Sequence, residues 1–115
     1  MSKLKAVLCG TGSESIRPPA EVAKLITSGS LILDVRTKME AKKGMVPGAI
    51  NIPLLRLKRH LDELPRDRMI VTYCGTGERA GKARDILDAA GFKVSNGGGY
   101  QTLLALTVKP APAPR

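Results

Sequence analysis

Two short, almost continuous apolar runs constrain the fold of this chain more than any other feature. Residues 31–35 read LILDV and residues 69–73 read MIVTY. A strand that is buried on both faces shows such a run, because neither face is turned to water. Segments with helical spacing of apolar residues follow each run. Strands that alternate with helices indicate an α/β fold, with a mostly parallel central sheet and helices on both faces.

Prolines and glycines divide the rest of the chain into short elements. Pro53 and Pro65 bracket one helical segment, and Gly29 and Gly91 stand where two others end. The predicted helical segments are residues 18–28, 54–64, 80–90 and 100–106. A short strand is expected over residues 92–94, followed by a flexible connection made of three consecutive glycines.

The length of 115 residues suits one domain with a single core. We expect residues 1–12 to be a lead-in, residues 13–107 to form the domain, and residues 108–115 to be a proline-rich, disordered tail. No apolar run has the length of a membrane span, and residues 6–9 are too few for a secretory signal. Two cysteines without a framework spacing favour free thiols, so we expect a cytoplasmic protein without membrane contact.

The positive charge of the chain is interpreted first as a solvated surface, next as a site for a small anionic substrate, and last as a nucleic-acid surface. The chain contains nineteen Lys and Arg and ten acidic residues, which gives a formal net charge of +9. Such a surface attracts small anions, although a solvated surface alone also explains it. One Phe, two Tyr and no Trp leave few platforms on which bases could stack, so nucleic acid is not expected. Two cysteines and one histidine in three separate segments show no metal-ligand spacing, and no cofactor is predicted.

The tetrapeptide CGTG occurs twice, at Cys9 and at Cys74, in different surroundings. Cys74 follows a predicted strand and precedes a predicted helix, so loop amides and the helix dipole would face its sulfur. Two prolines separate Cys9 from the next helix. We therefore predict that Cys74 is a nucleophile and that the Cys9 copy is coincidental, a small buried core residue being the alternative for Cys74. The candidate anion-binding loop consists of Gly75, Thr76, Gly77, Glu78 and Arg79.

Four segments, taken in order, resemble the single-domain rhodaneses, a family of sulfurtransferases. They are LILDVR at 31–36, GMVPGAINIPL at 44–54, IVTYCGTGERA at 70–80 and GFKVSNGGGY at 91–100. The resemblance implies a single rhodanese-like domain that moves a sulfane sulfur from a thiosulfate-like anion through a persulfide on Cys74. The implied acceptor is cyanide, a thiol or a protein. It also implies that Asp34 and Arg36 shape the pocket floor, a structural ion pair being the alternative.

Two other functions compete with this interpretation. Cysteine phosphatases need Cys-x5-Arg to bind a tetrahedral oxyanion, but position 80 is alanine and the arginine is Arg79, one residue too early. A rhodanese-like sulfur-relay or docking module without efficient thiosulfate turnover would share the fold. Met45 stands where the family often has a histidine, and we expect little catalytic consequence from that change. The loop carries Glu78 and lacks the extra cations of some thiosulfate-using members, so the identity of the sulfur donor is left open.

Overall fold

The centre of the molecule is a four-stranded sheet in which all strands run parallel. The structure is a computed structural model that describes residues 16–107. Its strands are β1 (Leu31–Asp34), β2 (Ile50–Asn51), β3 (Ile70–Cys74) and β4 (Val94–Gly99). They lie in the order β2-β1-β3-β4. The predicted α/β fold with a parallel sheet is confirmed.

Helices cover both faces of this sheet. They are α1 (Pro19–Thr27), α2 (Lys38–Lys42), a 3-10 segment (Leu54–Glu63), α3 (Glu78–Ala89) and α4 (Tyr100–Thr107). On one face α1 packs against α4, and on the other α3 packs against the 3-10 segment. Within residues 16–107, no helix combines the length and the apolar character that crossing a membrane would require.

Strand β3 divides its side chains between two apolar cores, and this division determines where Cys74 lies. All five of its residues are buried. Ile70 and Cys74 join the core beneath α3 and the 3-10 segment, whereas Val71 and Tyr73 join the core beneath α1 and α4. Successive side chains of a strand point to opposite faces. The alternation therefore directs Cys74 toward the helix that follows it in the chain.

The segment predicted as a second α-helix is instead a 3-10 segment with an interruption. His60 has non-helical torsions of φ −115° and ψ 15°. Leucines at 54 and 57, and again at 61 and 64, are spaced by three residues, which suits the three-residue repeat of a 3-10 helix. The one spacing of four, between Leu57 and Leu61, contains His60. Both turns thus direct leucines to the core, and the one additional residue between them falls at the kink, where His60 lies.

The glycine run predicted as a flexible connection belongs to strand β4. That strand begins at Val94, later than the predicted 92–94 strand, and continues through all three glycines. A β-carbon on Gly97 would lie 2.6 Å from Val71 Cγ1 and 2.9 Å from the Thr72 carbonyl oxygen. Only glycine allows the two backbones to approach this closely, so the run is needed for packing rather than for flexibility.

The predictions for the two ends of the chain lie outside the described residues. These are the lead-in over 1–12, the CGTG copy at Cys9 and the tail over 108–115. The first described residue, Ile16, forms an isolated parallel bridge with Asn96 of β4.

Candidate functional site

The sulfur of Cys74 lies at the beginning of helix α3 and accepts two backbone hydrogen bonds. The Gly77 N–H donates to Sγ at 3.0 Å, and the Ala80 N–H donates at 3.4 Å. Cys74 is the last residue of β3, and only three residues separate it from the first helical residue, Glu78. The chain therefore turns sharply enough to bring the opening of the helix back over the sulfur.

The sulfur takes the place of the side chain that normally caps a helix. Gly77 is the capping residue of α3, and it has no side chain with which to accept a hydrogen bond. The first amides of a helix have no partner within the helix. Ala80 is the third residue of α3, and its amide would otherwise need a cap. Two backbone amides and the positive end of the helix dipole therefore face the sulfur, as they do at helix N-termini that bind anions.

Ala80 lay outside the predicted loop of residues 75–79. The prediction assigned Ala80 to the following helix, over residues 80–90, whereas the structure begins that helix at Glu78 and directs the Ala80 N–H to the sulfur. Helix-cap rules contain the missing signal, since the third residue of a helix commonly donates its N–H to the cap. The structure brings the amides of Gly77 and Ala80 to the sulfur. Gly75, Thr76 and Glu78 lie exposed on the outside of the same turn.

Cys74 is completely buried in this conformation, with a relative exposure of 0%. For Cys74, a small buried core residue was the alternative to a nucleophile. Its neighbours in the core beneath α3 are aliphatic, but the two amides distinguish it from an ordinary core cysteine. In this conformation the sulfur is therefore closed to solvent.

Arg79 is held by an acidic residue from a distant part of the chain. Its Nη1 donates to Glu40 Oε1 at 2.7 Å, and its Nη2 donates to Glu40 Oε2 at 3.0 Å. The Glu40 carboxylate raises the pKa of Arg79, and the nearby Cys74 sulfur adds to that effect. In turn, the hydrogen bonds from Arg79, and next those from Thr37, lower the pKa of Glu40 to about 2. Glu40 is therefore a carboxylate at neutral pH.

Sequence reasoning missed Glu40, although a local signal was present. Thr37 and Glu40 form a capping box at the start of α2: the Glu40 N–H donates to Thr37 Oγ1, and the Thr37 N–H donates to Glu40 Oε1. A Thr-x-x-Glu pattern predicts such a cap. It does not predict that the same carboxylate reaches an arginine 39 residues further along.

Asp34 and Arg36 form a buried ion pair within the protein. The Arg36 Nη2 donates to Asp34 Oδ2 at 2.7 Å and to the Gly44 carbonyl oxygen at 2.7 Å. The Tyr73 hydroxyl donates to the same carboxylate at 2.8 Å, and the guanidinium carbon lies 4.4 Å from the ring centroid of Tyr100. Hydrogen bonding to Asp34 raises the pKa of Arg36, and burial raises the pKa of Tyr73 to about 12. The structure therefore shows Asp34 and Arg36 as a buried ion pair, and their role at the pocket floor stays a prediction.

A pocket of about 500 Å³ lies between α2 and the start of the 3-10 segment. Its lining is mostly apolar, with three cationic side chains, and Arg79 connects it to the surroundings of Cys74. The lining residues are Val35, Thr37, Lys38, Pro53, Leu54, Leu55, Arg56 and Arg79. Asp34 and Arg36 are not among them. Within residues 16–107, His, Cys, Asp and Glu side chains form no group of three that could hold a metal ion.

Comparison with known proteins gives the same assignment from sequence and from structure. The family model of the rhodanese-like domain matches residues 18–103. A sulfurtransferase from Allochromatium vinosum is 35% identical over 66 residues, which span 57% of this chain and 62% of that protein. The thiosulfate sulfurtransferase PspE of Escherichia coli is 34% identical over 80 residues, which span 67% of this chain and 77% of that protein.

A solved structure shows the same fold. The rhodanese-related protein of Thermoplasma volcanium aligns with a TM-score of 0.69 and 28% identity, over 77% of this chain and 89% of that one. The resemblance predicted from the four sequence segments is thereby confirmed. Because the family match extends over nearly all of the described sheet and its helices, this chain belongs to the rhodanese-like domain family.

Proposed function

We propose that this protein is a sulfurtransferase in which Cys74 carries the transferred sulfur. The observation that supports this most directly is the pair of backbone N–H groups, from Gly77 and Ala80, directed at Sγ. Hydrogen bonds to the charged form of a group favour that form. A cysteine sulfur held in this way is suited to act as a nucleophile, and the relatives named above are called sulfurtransferases.

The proposed reaction has two steps, both at the same sulfur. In the first, the Cys74 thiolate attacks the outer sulfur of thiosulfate. A new S–S bond forms, the bond between the two thiosulfate sulfurs breaks, and sulfite leaves with the electron pair. In the second, an acceptor such as cyanide attacks the outer sulfur of the persulfide, and the Cys74 thiolate is released together with thiocyanate. No external oxidant or reductant is consumed.

The residues of the turn have different roles in this proposal. The amides of Gly77 and Ala80 stabilise negative charge on sulfur before and after the transfer, as preorganised donors do in oxyanion sites. Arg79 supplies a positive charge that interacts with the sulfur, and the same side chain lines the pocket. The donor is a small sulfane-bearing anion, and the acceptor is cyanide, a thiol or a protein. Free thiols are typical of reducing compartments, so we propose that the reaction takes place in the cytoplasm.

Intact-mass measurement after incubation with thiosulfate tests this proposal. The wild-type chain should gain one sulfur atom, about 32 Da, and cyanide should remove it. Cys74→Ser should gain nothing. Cys9→Ser is the matched control, because it removes the other cysteine of the chain and should leave the adduct unchanged.

The outcomes separate the competing functions. An adduct that survives in Cys74→Ser would overturn the assignment of Cys74, and the absence of any adduct in the wild type would overturn sulfur transfer itself. An adduct on Cys74 that cyanide discharges slowly, but that a protein thiol discharges rapidly, would identify a relay module instead of an enzyme with free thiosulfate turnover.

A further inference from the structure

Glu40 is placed so that it neutralises the positive charge beside the candidate nucleophile. Both carboxylate oxygens accept hydrogen bonds from Arg79, in a two-pronged pair with distances of 2.7 and 3.0 Å. The planar guanidinium matches a carboxylate in this geometry, so the pair is directional as well as ionic. Arg79 Nη2 also lies 3.4 Å from the position that a β-carbon on Gly75 would take. The guanidinium is thus held against the turn that covers the sulfur.

At the turn beside the sulfur, the positive charge of Arg79 is compensated by a carboxylate. Arg79 is paired with Glu40, and the exposed residue Glu78 adds a negative charge at the same turn. Next to them, the pocket of about 500 Å³ offers mainly apolar surface, with Lys38 and Arg56 as its other cations. The apolar lining suits a donor with an apolar body, and Lys38 and Arg56 suit an anionic group on that donor.

We propose that Glu40 is a specificity-determining residue, which acts through Arg79 to favour singly charged organic sulfane donors over thiosulfate. This inference rests on the proposed sulfurtransferase function. Glu40 does not contact the reacting atoms. Its carboxylate compensates the positive charge of Arg79, which would otherwise attract an incoming dianion. Removing the carboxylate should therefore improve the reaction of thiosulfate more than that of a monoanion.

Two donors that react by the same step allow this comparison. With benzenethiosulfonate, the Cys74 thiolate attacks the terminal sulfur, the bond from that sulfur to the sulfonyl sulfur breaks, and benzenesulfinate leaves with the electron pair. With thiosulfate, the leaving group is sulfite. Both reactions form the same persulfide on Cys74. The two donors differ in charge, in the presence of the phenyl group and therefore in the leaving group.

Glu40→Gln is a suitable variant because it removes the charge and keeps the shape. Glutamine also completes a capping box with threonine, so the start of α2 should be preserved. The quantity to measure is the ratio of kcat/KM for thiosulfate to kcat/KM for benzenethiosulfonate, with cyanide as acceptor. Partial loss of folded protein cancels in this ratio. We expect the ratio to rise about fivefold, as partly exposed charge pairs affect equilibria by a few-fold per unit charge.

Two further variants make the result specific to the Glu40 charge. Glu40→Asp retains a carboxylate and should keep the ratio near that of the wild type. Glu21→Gln removes the same charge from an exposed pair with Arg17 on α1, and it should also leave the ratio unchanged. A ratio in Glu40→Gln within about twofold of the wild type, or an equal rise in Glu21→Gln, overturns the proposal.

These outcomes differ from a failure of the proposed function. If the wild type forms no persulfide with either donor, sulfur transfer is wrong, and the role of Glu40 is overturned together with it. If persulfide forms and the ratio does not respond to the Glu40 charge, sulfur transfer stands and only the role of Glu40 is overturned.

Discussion

At the residue scale, the buried ion pair and the pair beside the sulfur serve different purposes. Asp34 and Arg36 are almost fully buried, and the tyrosine hydroxyl at Tyr73 completes their hydrogen bonds. Arg79 and Glu40 are more than one-third exposed. Burial makes a broken pair costly, because the remaining charge loses water without gaining a partner. The first pair therefore governs stability, and the second can be altered with little structural cost.

Asp34→Asn should lower the free energy of unfolding by about 3–5 kcal/mol, the cost of leaving a buried partner charge uncompensated. The physical reason is that Arg36 stays buried while its carboxylate partner is gone. Urea denaturation followed by circular dichroism measures the change. Glu21→Gln, in the exposed pair with Arg17, should change the free energy by no more than about 0.5 kcal/mol. Similar losses in the two variants would contradict this account.

Glu40 should stabilise the protein only above acidic pH. Its pKa is lowered from 4.5 to about 2 in the folded state. A lowered pKa means that the ionised form is favoured by folding, so the stabilisation is complete above pH 4.5 and is lost as the pH falls toward 2. Solvent screens this exposed pair, so its contribution at neutral pH should be about 0.5–1 kcal/mol.

The measurement is the difference in unfolding free energy between the wild type and Glu40→Gln at several pH values. The difference should shrink as the pH falls below 4.5. A difference that stays constant down to the most acid condition at which both chains fold would show that the carboxylate charge is not what stabilises this contact.

At the scale of elements, the turn between β3 and α3 depends on the backbone conformation of one glycine. Gly77 has φ 105°, in the left-handed region that other residues avoid, and its N–H is the closer donor to Cys74. A β-carbon at this position would also lie 2.6 Å from Ile16 Cδ1. The turn therefore aims the amides only while position 77 can adopt this conformation.

Gly77→Ala should slow persulfide formation at least tenfold and destabilise the fold by about 1–2 kcal/mol, the cost of placing a side chain at positive φ. Gly29→Ala is the matched control. Gly29 has φ 99°, and nothing lies within 4 Å of the position its β-carbon would take. Gly29→Ala should lower the free energy of unfolding, because of the positive φ, and should leave the rate of persulfide formation unchanged. Equal rates in the two variants would remove the Gly77 amide from the proposed mechanism.

At the scale of the whole molecule, the net charge of +9 should draw anionic donors to the site. Salt reduces the range of such a field, from about 30 Å at 0.01 M to about 8 Å at 0.15 M. The kcat/KM for thiosulfate should therefore fall about threefold or more over this range of salt. Alkylation of Cys74 by uncharged iodoacetamide, in a Cys9→Ser background, is the control and should hardly respond. Salt-independent thiosulfate kinetics would show that steering by the net charge is negligible.

The architecture was predictable because its determinants are local in the chain. A run such as MIVTY indicates a buried strand wherever it occurs, and the glycine-containing turn after Cys74 indicates a strand-to-helix connection. Two predictions made from local patterns were wrong. Leucine spacings of three and four were interpreted as one α-helix, and three glycines were interpreted as a flexible connection. In both cases packing against the sheet decided the outcome, and packing partners are distant in sequence.

The order of strands and helices, and the position of Cys74 before a helix, follow from the sequence alone, since periodicity and turn chemistry act over a few residues. Only the tertiary structure decided that the sulfur is buried, that Ala80 donates to it, and that Glu40 reaches Arg79 across 39 residues. The physical reason is that contacts between separate elements depend on how the helices and loops that connect the strands pack on the sheet. No pattern within a single segment records that arrangement.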